Sequence, residues 1–140
     1  MIGHWTGSYK YLSRRIPEEI RTRVTKFKIE IIEFDGNHFS GTVQDDIETG
    51  GMNGVGKIVG FIKNGKVEFV KEMPLQTIYT PYGSKIEEDK PHRKIYYSGE
   101  IMDNKIEGLW RFKFGKGKVN NRLVIFPRSK GTWEMKKDVL

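Results

Sequence analysis

The chain reads as an all-β protein: a closed, antiparallel, up-and-down barrel of about eight to ten strands, forming one domain over residues 1–140 with at most a short helical turn. Three observations predict this. The sequence has no alanine and only five leucines, against fifteen isoleucines, nine valines and fourteen Phe or Tyr. That balance removes the best helix formers and supplies residues that fit a pleated, half-buried surface. Apolar and polar side chains alternate with period two along most of the chain, and short turn signals separate the alternating runs.

The first run, Gly3 to Tyr11, puts Trp5, Tyr9 and Tyr11 on one side and His4, Thr6, Ser8 and Lys10 on the other. Ser13 to Arg21 breaks the pattern, and Pro17 followed by Glu18 and Glu19 suits one helical turn in a connector. Thr22 to Phe34 resumes alternation with Phe27, Ile29 and Ile31 inward, and Asp35-Gly36-Asn37 turns the chain back through Phe39, Gly41 and Val43. Gln44 to Asn53 is an acidic loop. Val55 to Lys63 is a strand, and Asn64-Gly65 is the clearest hairpin signal in the chain.

The returning strand carries Val67, Phe69, Lys71 and Met73 on one face. Leu75 to Thr80 reads as a short strand, and the Pro81 to Pro91 region, with its charged stretch Lys85 to Lys90, as exposed loop. His92 to Met102, the turn Asp103-Asn104 and Lys105 to Gly115 make another hairpin, with Ile106, Gly108, Trp110, Phe112 and Phe114 facing one way. Lys116 to Asn121 reads as loop, Leu123 to Phe126 as a short strand, and Gly131 to Lys137 as the last strand, with Trp133 and Met135 inward. Phe39 to Asp45 is echoed by Tyr97 to Asp103, an aromatic residue followed by Ser-Gly in each.

Charge is unevenly placed. The net +7 divides into +4 over residues 1–30, −4 over 31–103 and +7 over 104–140. Closure of the sheet makes the first and last strands neighbours, so the two basic ends are expected to merge into one cationic face. Lys113, Lys116, Lys118, Arg122, Arg128 and Lys130 with interleaved aromatics make that face the rival reading, an interaction module for nucleic acid, another anion or a protein. No run of about 18 apolar residues predicts a membrane span. The absence of cysteine excludes a thiolate nucleophile and Cys-ligated zinc, and fits a cytoplasmic protein. The three histidines share no metal-like spacing and point outward, so neither a metal nor a cofactor is expected.

Alternation delivers polar groups to the interior, with Tyr9, Tyr11, Asp45, Lys71, Arg93 and Tyr97 on the inner face. An amine or carboxylate inside needs a partner, so Lys71 should meet Asp45 or reach the barrel rim, or else face a ligand. Phe69, Tyr97, Trp110, Phe112 and Trp133 supply flat apolar walls. Tyr9, Asp45, Phe69, Lys71, Tyr97, Trp110, Phe112 and Trp133 are therefore the candidate cavity lining. The expected function is binding of a small apolar or amphipathic, even anionic, molecule without catalysis. Were the interior catalytic, Lys71, Tyr97 and Asp45 are where perturbed ionisation would be sought.

Gly3-x-Trp5 with Gly7 and Tyr9 resembles the first strand of lipocalins and is similar to that of avidins. Tyr97-x-Gly99, Ile106-x-Gly108-x-Trp110 and Gly131-x-Trp133-x-Met135 resemble strand endings of the lipocalin-like and fatty-acid-binding-like barrels, jointly the calycins. The resemblance implies a barrel closed at its base by Trp5, whose open end admits one small, mainly apolar molecule. This sequence departs from those families where Ser13 to Arg21 is too short for a two-helix lid. It also has no Arg-x-Tyr pair in its last strand to grip a carboxylate.

Overall fold

The computed structural model describes residues 1–12, 23–79, 85–88, 94–112, 115–119, 122–126 and 130–139, with backbone alone at 76–79, 85–88, 115–119 and 122–126. Among the described residues twelve strands follow one another: β1 (Gly3–Tyr11), β2 (Thr25–Phe34), β3 (His38–Asp45), β4 (Val55–Lys63), β5 (Lys66–Glu72), β6 (Gln76–Tyr79), β7 (Lys85–Glu88), β8 (Ile95–Met102), β9 (Lys105–Phe112), β10 (Gly115–Val119), β11 (Arg122–Phe126) and β12 (Lys130–Lys137). Eight of them close into an antiparallel barrel in the order β1-β12-β9-β8-β5-β4-β3-β2. The hairpins β6–β7 and β10–β11 form separate two-stranded sheets, inserted in the chain after β5 and after β9.

Closure comes from the pairing of first and last strands, in register from Trp5 opposite Lys137 to Tyr11 opposite Gly131. Because every barrel pair is antiparallel, β1, β3, β5 and β9 all end at the same rim. The connections over 12–24, 46–54, 73–94 and 113–129 leave from that rim. The opposite rim has only tight turns at 35–37, 64–65 and 103–104, together with the outer ends of β1 and β12. Asn64 and Gly65 have φ of 52° and 76°, the doubly left-handed turn that matches strand twist and that Asn-Gly predicts. At the β2–β3 turn, Asp35 Oδ1 accepts from the backbone N–H groups of Asn37 and His38 at 2.9 and 2.7 Å.

Period-two burial runs through the barrel: Thr25, Phe27, Ile29 and Ile31 are buried on β2 while the residues between them face solvent. A bulge between Ile31 and Glu33 then leaves both Ile32 and Glu33 outward and returns Phe34 to the partly buried side. The core divides along the barrel axis. Trp5, Ile31, Phe39, Val67, Ile106 and Met135 fill the tight-turn end, and Trp5 Nε1–H donates to the Met1 carbonyl at 2.9 Å. The aromatic residues gather toward the loop-bearing end. Inward glycines admit them: a Cβ at Gly131 would overlap the Trp110 indole, and one at Gly99 would lie 2.9 Å from Trp133 Cζ2.

Several boundaries differ from the sequence reading. Lys85–Glu88 is a strand paired with Gln76–Tyr79, where exposed loop was expected, and Gly115–Val119 is a strand paired with Arg122–Phe126. In both hairpins the main-chain ladder forms without the apolar alternation that identifies a buried strand. The helical turn expected near Pro17, Arg93, Phe114 and His92 lie outside the described residues. A 3₁₀ turn stands at Ile47–Thr49, capped by Asp46 and ended by Gly50 at φ 100°. His4 and His38 face solvent as expected. The two echoing segments both place their aromatic residue, Phe39 or Tyr97, inward, but Asp45 is buried at the loop-bearing end whereas Asp103 sits in the opposite turn at φ 60°.

Candidate ligand-binding site

All eight residues expected to line the interior are buried. Asp45 closes β3 and Lys71 lies one residue from the end of β5, so both reach the loop-bearing end of the core, on either side of β4. The Lys71 Nζ is 2.7 Å from Asp45 Oδ1, and the two side chains are 2% and 0% exposed. The carboxylate also accepts from the Tyr9 hydroxyl and the Met52 backbone N–H, both to Oδ2 at 3.2 Å. The Lys71 ammonium is surrounded by rings, with the centroid of Tyr9 at 4.9 Å and those of Phe27 and Tyr97 at 5.9 Å. Such cation–ring contacts strengthen when water is excluded.

Two aromatic groups flank the pair. On one side Tyr97 stacks on Phe69 with centroids 4.6 Å apart and planes at 11°, and Trp133 meets both edge-on at 5.4 and 5.3 Å. On the other, Trp110 stands edge-on to Tyr11 at 4.9 Å, to Tyr9 at 6.0 Å and to Phe112 at 5.7 Å. The indole N–H of Trp133 donates to the Ser98 and Leu109 carbonyls at 3.0 and 3.1 Å, and that of Trp110 to the Lys10 carbonyl at 3.2 Å. Burial first, and the Asp45 charge second, push the Tyr97 phenol well above its ordinary pKa of 10.0.

The segment 46–54 lies over this end. Asp46 N–H donates to the Lys26 carbonyl, Thr25 Oγ1 to the Thr49 carbonyl and Lys26 N–H to Thr49 Oγ1, so the 3₁₀ turn is fastened to the start of β2. Met52 is 3% exposed, part of the core, and tied through its N–H to Asp45. The sequence reading missed Met52 and Phe27 as members of this site. Met52 is one of two apolar residues, with Ile47, in an otherwise polar, glycine-rich loop, and that was the available signal.

A concavity lies on the outer wall. It measures about 820 Å³ and is lined by Ser8, Lys10, Glu68, Ser98, Leu109 and Thr132 among others, over the paired glycines Gly99 and Gly108. Alternation sends these side chains to solvent and gives no hint of a groove, which depends on cross-strand register. Part of the expected cationic face is present on β9 and β12, where Arg111 pairs opposite Lys130 and Lys105 opposite Lys136. Lys105 binds Glu107 and Glu134 at 3.2 and 3.0 Å, contacts that raise its pKa, and the Arg111 guanidinium lies 5.4 Å from the Tyr96 ring centre. The side chains of residues 113–129 lie outside the described residues.

Among the described residues no group of three or more His, Asp or Glu is placed to hold a metal ion, and no helix is long and apolar enough to cross a membrane. Compared with protein-family models, curated proteins and solved structures, the chain matches none.

Proposed function

We propose that this barrel is a small-molecule carrier or sensor of the calycin kind, without catalytic activity, whose site is the loop-bearing end of the interior. The observation that carries the reading is the enclosed Lys71–Asp45 pair among aromatic rings at the rim from which the long connections leave. Withdrawing two charges from water costs several kcal/mol per ion, and well-packed apolar residues often serve stability as well or better. A polar pair kept inside apolar walls is the composition of a recognition site, a mostly apolar pocket with a few placed polar groups. The Met52 segment is its cover.

Native mass spectrometry of the purified chain, followed by amide NMR titration with a panel of small apolar compounds, tests this. Binding that shifts the resonances of Met52, Lys71 and Tyr97 is expected. Shifts confined to the outer wall would overturn the reading.

A second reading rests on the opposed cations Arg111 and Lys130, since like charges directly across a ladder are unfavourable unless something of opposite sign meets them, as Glu107 and Glu134 meet Lys105. It makes the β9–β12 face an anion-binding surface. Retention on immobilised nucleic acid that falls steeply with salt would favour it; no retention at low salt would remove it.

A further inference from the structure

Among the described residues, the hydrogen-bond inventory around Lys71 has donors to spare. Asp45 already takes Lys71 on one oxygen and Tyr9 with Met52 on the other. An ammonium carries three N–H donors. One goes to Asp45, and the ring centres of Tyr9, Phe27 and Tyr97 lie 4.9 to 5.9 Å from the ammonium. Tyr97 is the second donor in excess. Its side chain is in the core at 4% exposure, yet its hydroxyl makes no hydrogen bond with any described residue. By contrast Trp5, Tyr9, Trp110 and Trp133 each have a partner for their polar hydrogen. Buried polar groups in native proteins are nearly always satisfied, so a phenol with no partner among the described residues, beside an ammonium with donors to spare, marks a place for an external acceptor.

Charge decides what kind. Lys71 and Asp45 neutralise one another, so a carboxylate or phosphate brought into this end would be a third buried charge with nothing to balance it. A ligand ammonium would likewise be an unbalanced buried charge, next to the Lys71 cation. An uncharged oxygen acceptor takes one hydrogen from Lys71 and one from Tyr97 and leaves the site electroneutral. We infer that the ligand is an uncharged apolar molecule bearing one carbonyl-type acceptor, which takes hydrogens from the Lys71 ammonium and the Tyr97 hydroxyl while its body lies against the aromatic walls. The inference rests on the interior-binding reading above. Entry is past Met52, whose unbranched thioether adapts to displacement more readily than a branched or aromatic side chain.

Three probes of matched size separate the terms: 4-phenyl-2-butanone (neutral, with a carbonyl), 3-phenylpropanoate (charged) and butylbenzene (neutral, no acceptor), each titrated into the full chain at pH 7. The ketone is expected to bind about tenfold more tightly than the carboxylate, a difference of one step on the affinity scale. Tyr97→Phe, which keeps the stacked ring, is expected to weaken the ketone by about fivefold, the worth of one neutral hydrogen bond, and to leave butylbenzene unchanged. Tighter binding of the carboxylate, or equal loss of ketone and hydrocarbon in Tyr97→Phe, overturns the assigned ligand class and leaves interior binding standing. If none of the three moves the Met52, Lys71 or Tyr97 resonances and no molecule copurifies, both the class and the interior site fall.

Discussion

The Lys71 ammonium and the Asp45 carboxylate meet at 2.7 Å across the interior of the barrel, with β4 between their strands and neither side chain in contact with bulk solvent. Their sequence separation of 26 residues makes this contact a product of closure and register rather than of local structure.

Breaking the pair from one side strands the other charge. Lys71→Met is expected to lower unfolding free energy by about 3–5 kcal/mol, and Asp45→Leu by a similar amount. The double substitution should recover much of the loss, because the penalty lies in the unpaired ion. Urea unfolding of the four proteins in a double-mutant cycle measures this; additive losses would refute it.

Tyr97→Phe should behave in the opposite way. Removing a buried hydroxyl that has no partner among the described residues relieves its desolvation, so the ligand-free protein should gain about 1 kcal/mol. Denaturant midpoints at unchanged m-value report this, and a loss of stability would mean the hydroxyl is satisfied.

The same residue sets an alkaline limit. The folded Tyr97 phenol is raised above its ordinary value, by burial and then by Asp45. Below that ordinary value both folded and unfolded chains keep the proton, and its contribution to stability is complete. As pH climbs past about 10 the unfolded chain releases a proton that the folded chain retains. Stability then falls by up to about 1.4 kcal/mol per pH unit until the folded value is reached. Unfolding free energies between pH 9 and 11 should decline less steeply in Tyr97→Phe than in the parent, by one proton; identical slopes would contradict it.

Gly131→Ala tests the packing that lets the aromatics in. The added methyl meets both the Lys10 carbonyl and the Trp110 indole, so neither a rotamer change nor a small backbone shift removes the clash. A loss of about 1–3 kcal/mol is expected, with altered tryptophan fluorescence. Gly36→Ala is the control for general glycine effects: its Cβ meets nothing within 4 Å, and any cost there comes from its left-handed φ of 101°.

Much of this molecule is legible from residues alone, and the reasons are local. Val67, Phe69, Lys71 and Met73 share a face because successive strand residues must point opposite ways, and Asn64-Gly65 fixes where the chain reverses. The meeting of first and last strands follows from consecutive hairpins that close on themselves. What stays hidden depends on register between strands. That Gly99 falls opposite Gly108, and that Trp133 fills the space beside them, cannot be read from either strand by itself. The strands at Lys85–Glu88 and Gly115–Val119 escape because periodicity reports burial, whereas their pairing is carried by the backbone. Met52 escapes because its position comes from the fastening of residues 46–54 to β2.

The ring of eight hydrogen-bonded strands leaves no unpaired ladder margin around the barrel wall. Another chain therefore cannot extend this sheet without first prising β1 from β12. Free ladder margins among the described strands belong to the small hairpins β6–β7 and β10–β11. Strand-swapped dimers or fibrillar stacking of the folded protein would start there, and a proline at Thr77 or Lys116 is the economical place to block them.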